Sequence, residues 1–343
     1  MTRSAIRAPL AWLGPGRVAT DVTVTYEAGS IVGVSSAETP EPSPGIDREI
    51  VADGFLMPAG ADRHVHIGLS DPQAILRRGI TAVRDLAWPA DDIFPLAELS
   101  ESPSFRGPLI QASGPMITAG GGYPTAAAWA PDGTGWEVFG PDDAAETVRD
   151  LAARGAAVIK VSLNAEAGPT PSDAELAAIC ESAHAAALKV TAHAQGIGQV
   201  ERALGARVDE LAHTPWTRVS DDVVRLCASS VRVVSTLDIL SFGRRTRELG
   251  VALDNLGRFV AAGGEVVYGT DLGNGAIPAG IHTHELELLH EAGLTPDQVL
   301  GSLVRAPIQL GAPADLIVLG ADPREDLGAF GDVRLVVRAG AVV

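Results

Sequence analysis

Alternating polar and apolar residues mark both ends of the chain. From Val18 to Val51 the runs VTVTYEAGSIVGV and REIVADG repeat with a period of two, and the turn PEPSPG (40–45) separates them. Side chains two apart share one face of a strand, so such runs predict half-buried β-strands. The last residues behave alike: ADLIVLG and VRLVVRAGAVV read as strands, with ADPREDLGAFGD as their connection. The two ends are therefore expected to pair into one small β-unit.

Between them the pattern changes. Short β-branched runs alternate with helical segments, giving eight strand candidates that end near His66, Leu86, Ser113, Ser162, His193, His213, Thr236 and Asp271. Ser172 with Glu175, and Thr295 with Gln298, have capping-box spacing before helical runs. Gly155 follows DDAAETVRDLAAR, where a helix C-terminal glycine belongs. Eight alternating units suit a closed parallel barrel better than an open sheet. The expected fold is thus α/β: a TIM-like (β/α)8 barrel over 55–307, with a small β-sandwich built from 1–54 and 308–343.

Composition narrows the function. Lys and Arg total 26 against 43 Asp and Glu, a formal charge of −17. That field repels phosphate backbones and anionic membranes, which argues against nucleic-acid or membrane partners. No apolar run reaches the roughly 18 residues needed to span a bilayer. The N-terminal apolar stretch is interrupted by Pro9, Gly14 and Pro15, with no export cleavage pattern after it. A soluble cytoplasmic protein is the expectation, and a homo-oligomer is compatible with it. Cys180 and Cys227 fall in helical runs and read as small apolar residues.

The chemistry concentrates at predicted strand ends. His64 and His66, in ADRHVH, lie two apart after the apolar FLMPAG, so both rings can reach one metal ion. His193 ends KVTAHA and His213 ends DELAHT. Any one of these alone is as well explained as a core histidine, but four at corresponding ends converge on one mouth, where barrel enzymes place catalytic groups. Lys160 lies in AAVIKVSL, opposite Ile159 and Val161. A bare ammonium there is costly, and three outcomes relieve the cost: an ion pair, a depressed pKa, or conversion to an anion. Asp271, in VVYGTDLG, is a carboxylate able to bind metal or accept a proton, although Asp also caps turns. Trp129, Trp136 and Trp216 are candidates for an apolar substrate wall, and His282 and His284, which follow the eighth strand, are candidates to touch substrate, although residues at a helix start are more often solvated. His184 and His290 lie within helical runs and read as structural or exposed.

These motifs resemble the amidohydrolase superfamily. GFLMPAGADRHVHIG is similar to its first-strand motif, GITAVRDL to its second strand, VIKV to its bridging-lysine strand and YGTDLGNG to its last. ASGPMITAGGGY and HELELLHEAGLTPDQVL bring the chain closest to the imidazolonepropionase-like branch, with its metal-dependent dipeptidases and ochratoxin-type amidases. The resemblance implies a two-metal centre: His64, His66 and Asp271 on one ion, His193 and His213 on the other, and Lys160 bridging them as an N6-carboxylated lysine (a carbamate). Zinc is the leading metal, since imidazole-rich sites suit it. The implied activity is hydrolysis of an amide, peptide or cyclic amide C–N bond by a metal-activated hydroxide, with Asp271 shuttling the proton. Lactone or ester hydrolysis and deamination are alternatives at the same site, and a non-catalytic barrel is the remote one. Two departures stand out. Tyr123 occupies about the position where dipeptidase-like relatives carry a histidine, and its phenol is a candidate donor to an oxyanion. The glycine-rich run before the last strands is shortened to VRAPIQLGAPADLIVLG.

Overall fold

A computed structural model describes residues 2–39, 45–102 and 104–343. The PEPSPG turn, apart from Gly45, lies outside them. The two ends pair as expected, in one mixed sheet ordered Ala341–Val342, Val333–Arg338, Leu316–Leu319, Phe55–Pro58, Arg3–Gly14, Arg17–Glu27 and Ser30–Ser35, with Arg48–Val51 also on Arg3–Gly14. The described terminal residues are hydrogen-bonded as one continuous sheet, and their strand pairing does not divide into the two sheets of the expected sandwich. A single sheet serves because its inner face packs its own small core, around Ile6, Val22, Val24, Ile31, Leu56 and Leu316.

Arg3–Gly14 went unread in the sequence because Pro9 interrupts it. The ladder tolerates Pro9: Ala8 pairs with Val22 and Leu10 with Thr20, while Pro9 and Asp21 form no pair. Asp21 takes a φ of 49°, which opens the ladder at the point where proline has no N–H to give.

The central region is a parallel α/β arrangement. Strands Gly60–Val65, Ile80–Asp85 and Leu109–Ala112 form one sheet. Gly135–Val138, Met116–Ala119, Ile159–Asn164, Val190–Gln195, Glu210–Leu211, Arg232–Val234 and Val266–Val267 form another. Among the described residues the continuous ladder of a closed barrel is not made; the two sheets meet at seams of individual backbone bonds. Arg63 N donates to Tyr268 O (3.0 Å), Asp271 N to His64 O (2.8 Å) and His66 N to Leu272 O (2.7 Å) at one seam, and Ala157 N to Ala112 O (2.8 Å) at the other. The parallel pair Met116–Ala119 and Gly135–Val138 was not anticipated: each has only four residues, too few to establish a period.

Helix signals were reliable. Both capping boxes form, at Ser172/Glu175 and Thr295/Gln298. Gly155 follows helix Pro141–Ala153 with a φ of +95°. Cys180 and Cys227 are buried, and burial pushes their thiols up to about 12 and about 11, away from thiolate chemistry. Among the described residues no helix is long and apolar enough to cross a membrane.

Candidate metal centre and the family it belongs to

Strand alternation aims the polar groups inward. Lys160, Ser162 and Asn164 share one face of Ile159–Asn164, in register with Thr191, His193 and Gln195 of Val190–Gln195. The intervening Ile159, Val161, Leu163, Val190, Ala192 and Ala194 all belong to the apolar core. One side of each strand therefore packs hydrophobically and the other carries the chemistry.

The four mouth histidines converge. His64 and His213 rings stand 4.5 Å apart, His193 and His213 4.4 Å, and His64 and His66 5.6 Å. Asp271 Oδ1 lies 3.3 Å from His64 Nε2 and 3.1 Å from His66 Nε2, so these three residues offer a compact ligand set.

Each ring is fixed by one of its nitrogens. His64 Nδ1 donates to Ala212 O (2.8 Å) and His66 Nδ1 to Ala87 O (3.2 Å), which leaves each Nε2 with its lone pair in the neutral ring. His213 Nδ1 meets Thr236 Oγ1 at 2.9 Å, and His193 Nε2 meets Asn164 Nδ2 at 3.0 Å. Such outer partners orient metal-binding imidazoles. Burial, with Lys160 next for His64 and His193 and with neighbouring histidines for His213, holds these three rings well below the usual histidine pKa, hence neutral and able to ligate.

Lys160 is fully buried, and among the described residues its Nζ has no hydrogen-bond partner. Burial brings its pKa down to about 7, even though Asp271 and Glu210 favour the charged form. An orphaned buried amine beside four histidines, of which His64, His66 and His213 are hydrogen-bonded through Nδ1 only, fits a ligand set that is completed by cations. The residues present therefore fit the metal group that this donor chemistry calls for.

Backbone strain marks the same place. Asp271 and Thr236 adopt positive φ, 60° and 41°. For a β-branched residue this is a true outlier, costing about 1–3 kcal/mol and retained where the surroundings enforce it. Gly269 is required by close approach: a Cβ there would lie 2.3 Å from Val234 Cγ1 and 3.1 Å from His64 N.

Aromatic rings cover the cluster. Trp129 lies 4.4 Å from His66, Tyr123 5.3 Å from His193, and Trp216 6.1 and 6.2 Å from His193 and His213. Tyr123 OH accepts from Trp129 Nε1 (3.1 Å), which leaves the phenol hydrogen free to donate. Glu166 holds Trp216 through Nε1 (3.1 Å). Trp136 lies instead in Gly135–Val138 and is not among the rings stacked on the histidines. His282 is not gathered there either: its Nε2 faces Asp238 Oδ2 at 2.7 Å. His184 Nε2 lies 2.9 Å from Asp209, and His290 Nδ1 meets Leu294 O, both in helical positions.

Several positioning residues escaped the sequence reading. Asp62 accepts from His64 N and Thr270 N (3.0 and 3.1 Å) and so ties the first strand to the last. Asp85 accepts from Ile67 N and Ala87 N (2.7 and 3.2 Å), fixing the backbone on both sides of the His66 anchor. Burial raises these carboxyls to about 7 and about 6. Asn164 and Thr236 hold His193 and His213. The available signal was position: Asp85 and Asn164 end their strands, as the histidines do.

Parallel strands with interleaved helices, carrying a metal-capable histidine mouth at their C-terminal ends, define an α/β frame of the TIM-barrel type. The amidohydrolase family profile matches residues 55–302, so the chain belongs to that family and is a hydrolase. Solved structures agree in fold. A Xaa-Pro dipeptidase with bound methionine is 20% identical with a TM-score of 0.84, covering 100% of both chains. An ochratoxinase from A. niger is 20% identical with a TM-score of 0.84, covering 99% of this chain and 95% of that one. A molinate hydrolase is 18% identical with a TM-score of 0.80, covering 100% and 94%. No curated protein matches the chain.

Proposed function

We propose that this protein is a metal-dependent hydrolase that cleaves an amide, peptide or cyclic amide C–N bond in a small molecule. In this reading the (β/α)8 unit spans 55–307, its leading strand Phe55–Pro58 being lent to the sheet of the terminal segments 1–54 and 308–343, and the enzyme works in the cytoplasm. The observation that carries it is the buried, unpartnered Lys160 Nζ beside four histidines and Asp271.

His64, His66, Lys160, His193, His213 and Asp271 would hold two divalent ions, zinc foremost. Lys160 would serve as the N6-carboxylated form: the neutral amine adds to carbon dioxide and loses a proton, replacing a costly buried cation with an anion. When bound, the ions supply Lewis acidity towards a carbonyl and acidify water.

The chain supplies the rest. Asp271 takes a proton and returns it to the leaving nitrogen, and it is placed for this by Asn274 Nδ2, which donates to Oδ1 (2.9 Å). Tyr123, with its phenol hydrogen free, donates towards the developing oxyanion. Trp129 and Trp216 exclude water and pack the apolar part of the substrate. The fourth candidate contact, His282, is engaged by Asp238 instead.

The test is chelation followed by reloading with zinc, assayed on dipeptides, N-acyl amino acids, lactams and lactones. The expected result is loss and recovery of activity on an amide, with a new amine and a new acid in equal amounts. Activity indifferent to chelation, or ammonia as the sole nitrogen product, contradicts the proposal.

A further inference from the structure

A second gathering of metal-capable side chains lies away from the four mouth histidines. Asp238 starts the turn Asp238–Leu240 beyond strand Arg232–Val234, while His282 and His284 sit at the start of helix Thr283–Glu291. Each of the three offers one ligand atom, and these atoms lie within 4.8 Å of one another.

We propose that Asp238, His282 and His284 hold a zinc-type divalent cation at a site that shares no ligand with the mouth centre and clasps these two segments together.

Alignment is the first argument. His284 Nδ1 comes within 3.0 Å of Asp238 Oδ1, yet it is buried and makes no hydrogen bond. Close but misaligned groups are what two ligands of a common third centre look like, because each aims beside the other rather than at it. A donor and its acceptor would aim directly.

Preorganisation is the second. Asp238 Oδ1 accepts from Ser241 Oγ (2.5 Å) and Gly243 N (2.8 Å), which fixes the carboxylate, while Oδ2 and His282 Nε2 share a 2.7 Å hydrogen bond that a cation bound between them would replace. His282 is anchored through its backbone N, which donates to Tyr268 OH (2.8 Å). Behind the turn, buried Glu285 accepts from Leu237 N and Asp238 N (each 2.8 Å), so the backbone that presents Asp238 is itself held. Outer contacts of this kind orient metal ligands.

Donor chemistry is the third. Two imidazoles and one carboxylate suit zinc among the common divalent ions, with a fourth position left for water. Asp238 and His282 are 44 positions apart, so a cation here would join two loops that the chain alone brings together only through distant connections.

The test compares metal content after chelation, reloading with zinc chloride and gel filtration. Wild type is expected to carry one equivalent more than His284→Ala, and His193→Ala one equivalent more than His193→Ala/His284→Ala. Reloading with cobalt should add a visible tetrahedral band to wild type that is missing from His284→Ala. His284 is partly exposed, so the variant should fold, and matching melting temperatures of the two metal-free proteins check this. Equal metal content within either pair overturns the proposal. The second pair lacks a mouth ligand throughout, so its result is independent of how the mouth centre performs.

Discussion

Two buried charge clusters lie within the parallel strands, and they are satisfied in opposite ways. At the starts of Glu210–Leu211 and Arg232–Val234, Glu210 is gripped by Arg84 and by Arg232 Nε (2.6 Å), while Arg84 Nε donates to Arg63 O (3.0 Å). Burial alone would raise the Glu210 carboxyl, but the two guanidiniums hold it below its usual range. That cluster is complete within the chain. At the mouth the balance is open: Lys160 Nζ has no partner, and three neutral histidines surround it. The contrast separates charge kept for structure from donor capacity left for something that binds.

The sharpest way to break the comparison is at the mouth. His193→Ala and Asp271→Asn should each lower kcat/KM by about 10³-fold or more while circular dichroism stays unchanged, since proton transfer alone contributes about 10²- to 10⁴-fold. Near-normal turnover in either variant would remove that residue from the site.

The complementary substitution lies in the closed cluster. Glu210→Gln leaves two guanidiniums short of their counter-charge and should cost about 3–5 kcal/mol in urea unfolding, the range for breaking a buried ion pair. A cost below about 1 kcal/mol would mean that the triad is not a structural unit.

A smaller effect should come from Tyr123→Phe, which keeps the ring against His193 and deletes only the hydroxyl. A loss of up to about 10²-fold in kcat with KM little changed is expected if the phenol meets the oxyanion. A change confined to KM would reduce Tyr123 to packing.

The smallest effect is a pH slope. Burial raises Glu285 to about 7, so the folded state holds a proton that the unfolded chain gives up near the ordinary value of 4.5. Stability should therefore fall as pH rises from about 4.5 to about 7 and level off above, by up to about 3 kcal/mol from this group. Glu285→Gln should make the slope between pH 5 and 8 shallower in urea titrations, leaving the part that Asp62 and Asp85 contribute, and an unchanged slope would remove Glu285 as a source.

Much of this was legible because periodicity is local. Lys160 between Ile159 and Val161 already implied a polar inner face, and His64 and His66 two apart implied shared direction. The capping boxes at Ser172 and Thr295 needed only four residues each. What stayed hidden depends on distant pairing: the strand through Pro9 is rescued by an opening at Asp21, and Asp62 matters because Thr270, 208 positions away, meets it. Asp238 was invisible for the same reason, since its partners lie on another loop. The single terminal sheet in place of a sandwich likewise reflects pairing through Phe55–Pro58, which no run-by-run reading reveals.

The most direct test of the open cluster at the mouth is anomalous diffraction at the zinc edge on crystals of the reloaded protein. The account predicts peaks enclosed by His64, His66, His193, His213 and Asp271, with density extending from Lys160 Nζ as a carboxyl group. An empty mouth with a bare lysine amine, in protein that still turns over substrate, would contradict it.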